Sequence, residues 1–201
     1  MIFKNSFIFF KEKVRSLYLH SNIYNKNISS FNDNPLGYRP SPSLLDCLVK
    51  YNKKKTNIEN YSMEEIWVNK NLKEKDYDNL SNFFWLFSLD LRSSKKETQN
   101  IILQWIEKNS RYSSRGWEID ILAKRIIAWI SNSKLTYEDG EVVFRNKFNN
   151  IIKKQINHLI KEIQRVDWVD DKLIGCAAII LAGLSYQDKD NYLNFGLNLL
   201  K

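Results

Sequence analysis

Apolar residues recur at intervals of three and four along most of the chain, most regularly in Gly116–Ile130, GWEIDILAKRIIAWI. On a helix, positions three and four apart lie above one another, so Ile119, Leu122, Ile126 and Trp129 share one broad apolar face. Trp117, Ile121, Lys124, Arg125 and Ala128 complete the recurring set, with Arg125 at the margin of that face. A cation there has two readings. Either its stem packs while its head reaches water, or the guanidinium is held for a partner that carries negative charge.

The same period runs through the neighbouring segments. KKETQNIILQWIEKN groups Ile101, Ile102, Trp105 and Ile106 on one face, and the segment 138–164 places Val143, Phe144, Phe148, Ile151, Ile152, Ile156, Leu159, Ile160 and Ile163 along one long helix. WVDDKLIGCAAIILAGL is apolar nearly all round after Lys172, which predicts a buried helix. DYDNLSNFFWLFSLDL reads as one aromatic helix opened by acidic residues, and DKDNYLNFGLNLLK starts a last helix. Six glycines and three prolines in 201 residues are too few for a turn-rich β-protein. The expected class is all-α, with antiparallel helical hairpins joined by short loops.

Before these helices comes a basic arm. Residues 1–60 hold ten of the 31 basic side chains and four of the 23 acidic ones, so most of the formal charge of +8 sits there. Such an arm suits an acidic partner. Phe3, Phe7, Phe10, Val14 and Leu17 describe an amphipathic helix over 3–22, with Lys4, Lys11, Lys13 and Arg15 largely off the apolar stripe. It fits a membrane surface or the body of the protein itself, and the body is the expected setting. Residues 25–43 contain all three prolines and predict an extended linker. The chain is thus read as an arm and linker over 1–43 and a helical domain over 44–201. LLDCLVKY and IWVN are short apolar runs that fit strands or helix fragments equally.

Few residues offer chemistry. No Gly-rich phosphate loop, zinc spacing or nucleophile elbow is present, and there are two histidines. His158 lies among apolar neighbours, four residues before Glu162, and reads as a structural hydrogen-bonding residue; His20 ends the first helix. Cys47 and Cys176 read as separate buried thiols. No cofactor or metal is expected. The aromatic residues read as core rather than as stacking platforms, which argues against a nucleic-acid partner. No apolar run reaches the length of a membrane span, and the N-terminus is a poor secretory signal, so a cytoplasmic chain is expected, with the periplasm as the alternative.

The succession LQWIEKN, GWEIDILAKRIIAWI, KKQINHLIKEIQ and DKLIGCAAIILAGL, within about Asp76 to Lys201, resembles the N-terminal helical domain of the heparinase II/III family of polysaccharide lyases. The resemblance implies an incomplete α/α toroid, normally followed by a β-sandwich domain. The chain reads as ending within a further toroid hairpin, so a separately encoded β-sandwich portion is an implied partner. The implied activity is β-elimination on an acidic, uronate-containing polysaccharide, which needs a group that neutralises the carboxylate, a base and an acid. The family's Asn-His pair corresponds to Asp170 and Asp171, which do not match it. Catalytic roles are therefore not carried over, and the acidic pair reads as helix-start residues. Trp117 and Arg125 do match, and are the implied substrate-binding residues. The alternative is a non-catalytic helical module that binds glycan or a partner protein.

Overall fold

A computed structural model describes residues 2–29, 35–40, 74–89 and 92–201, with the side chains of those from residue 9 onward except Lys189. The runs LLDCLVKY and IWVN, with Cys47, lie outside the described residues. Every regular element described is helical: α1 (Ile2–Leu19), α2 (Asn22–Ile28), α3 (Glu74–Ser81), α4 (Lys95–Asn109), α5 (Ile119–Ser131), α6 (Ser133–Thr136), α7 (Val142–Glu162), α8 (Val169–Ser185) and α9 (Asn194–Leu199). The all-α expectation holds.

Local chemistry sets several boundaries. Ser94 caps α4 by accepting from the Glu97 N–H, and Ser21 caps α2 by accepting from Tyr24. Helix α2 runs into the stretch 25–43 expected to be extended, so that expectation is corrected over residues 25–28. The aromatic segment expected to be one helix is broken at Phe83, which is left-handed at φ 57° and leads into a 3-10 helix over Phe84–Ser88. Phe83 is fully buried, with its ring 5.1 Å from that of Trp129 and 5.5 Å from that of Trp85. Aromatic packing offsets the cost of about 1–2 kcal/mol for a left-handed residue. Asn82 supports the break by accepting from the Phe84 N–H.

The core is aromatic. Trp105 and Trp129 meet edge to face at 5.5 Å, and Trp129 stacks on Phe148 at 5.4 Å. This joins α4, α5 and α7, while α5 packs most extensively against α8. Helix α8 is not buried all round: Leu173 and Leu184 are exposed, because α5, α7 and α9 cover only part of its circumference. Gly183 lets the turn before α9 approach closely, since a Cβ there would lie 2.5 Å from the Leu193 nitrogen. No helix among the described residues is long and apolar enough to cross a membrane.

Candidate functional site

Arg125 and Trp117, the residues singled out from the sequence, are both inside the fold. Arg125 is 0 % exposed and Trp117 is 1 % exposed. From the middle of α5 the guanidinium forks to three neutral oxygens: Nη1 donates to the Ser81 carbonyl at 2.8 Å, Nη2 to the Gly116 carbonyl at 2.9 Å and Nε to Gln155 Oε1 at 3.2 Å. Its carbon lies 3.9 Å from the centre of the Trp105 ring. Burial pushes its pKa down to about 9, with a small opposing effect of Tyr77, so the group is still charged at neutral pH. Neither sequence reading of Arg125 describes this place. The cation ties α3 and the loop before α5 to α7, and it does so inside the protein.

Trp117 belongs to the same loop. Its indole N–H donates to the Asn109 carbonyl at 3.2 Å, and its ring lies 5.4 Å from that of His158. His158 meets Tyr24 of the arm, with the hydroxyl oxygen 2.7 Å from Nδ1. The imidazole also hydrogen-bonds the Trp117 backbone in a way that favours its protonated form, as a carbonyl acceptor does. The tautomer that satisfies both contacts points its N–H at Trp117 and accepts the Tyr24 hydroxyl proton at Nδ1. Burial, the largest influence, holds the pKa down to about 4, and the Arg15 charge pushes the same way. His158 is thus a neutral structural hydrogen-bonding residue. Its side-chain hydrogen-bond partner is Tyr24, while Glu162 forms an ion pair with Arg15 of α1.

One edge of this cluster opens on a groove of about 320 Å³ beside α2, α4 and α7. Ile106 and Ile151 are its buried apolar residues, and Ser110, Asn150, Lys147 and Lys154 bring polar groups to it. Lys154 is 9 % exposed, and its ammonium sits 5.8 Å from the centre of the Trp117 ring. It donates to Asn25 Oδ1 and to the Ser110 carbonyl. An ammonium has three donors, so one is left after these two. Burial, and then the charge of Arg111, push its pKa down to about 8. Lys147 is more exposed and pairs with Glu107 at 3.1 Å.

Two other places invite comparison. A larger cavity of about 490 Å³ has Lys95 and Lys96 on its lining together with Asp139 and Glu141, and Lys95 is bound to Asp139 at 2.6 Å. Its charge is therefore largely matched from within. The start of α8 is acidic: Asp170 and Asp171 occupy its first turn, where carboxylates suit the positive helix end. Partial burial and the Asp120 charge raise the Asp171 pKa, while Lys124, paired with Asp120, lowers it. Burial and the charges of Asp78 and Asp120 likewise raise that of Glu118. A surface where carboxylates already disfavour one another's ionisation repels a further anion. Among the described residues, no group of three or more His, Cys, Asp and Glu side chains is placed to hold a metal ion. The free thiol of Cys176 is buried, and burial raises its pKa.

The sequence reading did not single out Lys154. The signal was present: Lys147, Ile151, Lys154 and His158 fall at intervals of four, three and four, so both lysines lie along one side of α7 with apolar neighbours. Comparison with protein-family models, curated proteins and solved structures finds no match to this chain.

Proposed function

We propose that the chain is a helical module of the heparinase II/III type, an α/α-toroid portion that binds an acidic polysaccharide and seats a carboxylate or sulfate at Lys154 and Lys147. One observation carries the reading. Lys154 presents a partly buried ammonium, held by neutral oxygens and with a donor remaining, at the edge of an open groove. A partly dehydrated cation gains more from an incoming anion than a fully solvated one. The acidic start of α8 disfavours uronate at the positions that the family resemblance would make catalytic, so binding is a better fit than β-elimination.

The test is affinity for heparin and alginate at low salt, with Lys154→Gln against Lys134→Gln, an exposed lysine of α6 that carries the same charge change. Losing one charge-assisted hydrogen bond, about 1.5–3 kcal/mol, weakens binding by about ten-fold or more, whereas the control stays near wild type. Equal losses in both variants reduce the effect to net charge and overturn the site. An ultraviolet signal from unsaturated uronate product would restore the lyase reading.

A second reading rests on Trp168, which is 77 % exposed beside exposed Val169 and Leu173 at the start of α8. Apolar groups so placed favour a partner polypeptide, such as a separately encoded β-sandwich portion. Co-purification with the product of an adjacent reading frame, lost in Trp168→Asp, is its test.

A further inference from the structure

Helix α1 meets the rest of the protein along one edge. Arg15 reaches Glu162 at the end of α7, and Leu19, four residues on, is buried. Below it, α2 is fastened by Tyr24 to His158 and by the Asn157 amide, which donates to the Ile28 carbonyl at 2.9 Å. The described part of the apolar stripe expected to dock on the body does not. Phe10 is 65 %, Val14 49 % and Leu17 71 % exposed. At 100° per residue these three form one row, and Leu19 lies about half a turn away from its centre. Docking through Arg15 and Leu19 therefore turns the stripe outward, and Phe3 and Phe7 continue the same row in sequence.

We propose that α1 is a membrane-surface helix that lays this row into an anionic lipid bilayer. Charge selects the occupant. Lys11 and Lys13 lie on opposite flanks of the row and are both exposed, where their stems cover apolar surface while their ammonium groups stay at headgroup level. Lys4 falls beside Lys11 in helical register. Against these stands one acidic residue in the helix, Glu12, whose carboxylate is 3.3 Å from Arg15. A second copy of α1 packed on the stripe would bring lysines to lysines, whereas an anionic bilayer pairs them. With 18 residues the helix is about 27 Å long, enough to lie flat with Phe10, Val14 and Leu17 below the headgroups. The binding is separate from the glycan groove.

Sedimentation of the full chain with vesicles tests this, comparing phosphatidylcholine alone with phosphatidylcholine mixed with phosphatidylglycerol. The wild type is expected to pellet with the mixed vesicles and to be released by salt. The double variant Phe10→Glu/Leu17→Glu should lose about 100-fold in affinity, from two apolar side chains no longer buried. Lys11→Gln/Lys13→Gln should lose roughly 30-fold on the mixed vesicles, at about 1 kcal/mol per lysine. Unchanged far-ultraviolet circular dichroism shows that each variant folds, and Lys154→Gln should pellet like the wild type. Failure of the folded wild type to pellet with anionic vesicles overturns the proposal, as does equal binding by the Phe10/Leu17 variant. A dimer that dissociates in that variant, without vesicle binding, assigns the stripe to a second copy and also overturns it.

Discussion

Acidification isolates the contact between His158 and the arm. The unfolded chain takes up a proton at this residue below about pH 6.5, while the folded chain, with the ring buried between Tyr24 and Trp117, resists protonation until about pH 4. More protons are bound to the unfolded state throughout that window, so stability falls as the pH drops through it. The two pKa values give a loss of about 2 kcal/mol at pH 5 and about 3 kcal/mol at pH 4, relative to pH 7. For a chain of this size, the loss at pH 5 lowers Tm by roughly 4–8 °C. Carboxylates add acid sensitivity of their own, so the measurement is a difference. Urea unfolding of the wild type and of His158→Asn is followed from pH 7 to pH 4. The amide keeps a polar group near Nδ1 but does not titrate, so the variant lacks this component and the gap between the two proteins narrows as the pH falls. A constant gap would refute the assignment of His158 as a buried neutral ring.

Arg125→Met leaves the Ser81 and Gly116 carbonyls and Gln155 Oε1 without their donor, and urea unfolding should show a loss of about 3 kcal/mol. If Arg125 faced a glycan anion instead, retention on heparin would fall with stability little changed. Gly183→Ala places a methyl 2.5 Å from the Leu193 nitrogen and should cost roughly 1–3 kcal/mol through displacement of the turn before α9, read by thermal unfolding. Trp117→Ala should cost roughly 3–5 kcal/mol in the same assay, and Trp168→Ala less than about 0.5 kcal/mol, because the first is 1 % and the second 77 % exposed.

What the sequence makes legible is periodicity, and periodicity places helices without saying what covers them. It marked α4, α5, α7 and α8, and it marked Arg125 as a cation on an apolar margin. The acceptors that explain Arg125 lie 44, 9 and 30 residues away, and two of them are main-chain carbonyls that no residue type announces. Phe83 defeats the same reasoning for a different reason. Its segment has the composition of a helix, but burial of one ring among three tryptophan-bearing elements outweighs continued helical geometry, and the weak local signal is Asn82.

The arm shows the limit most clearly. Five apolar residues at helical spacing predict a stripe that needs cover, and docking on the body satisfies that demand in sequence terms. In the structure the body is met by Arg15 and Leu19, and Phe10, Val14 and Leu17 stay exposed. Lys154 presents the converse case. A lysine along a helix side with apolar neighbours looks like an imperfection of the pattern, yet it is bound by neutral oxygens beside a groove. In both places, the informative residue is the one whose chemistry disagrees with its position in the repeat. Arg125 disagrees in the same way and is satisfied internally, so the disagreement locates polar wiring without distinguishing a scaffold from a binding site. Access to a groove makes that distinction, and between Arg125 and Lys154 it is Lys154 that has it.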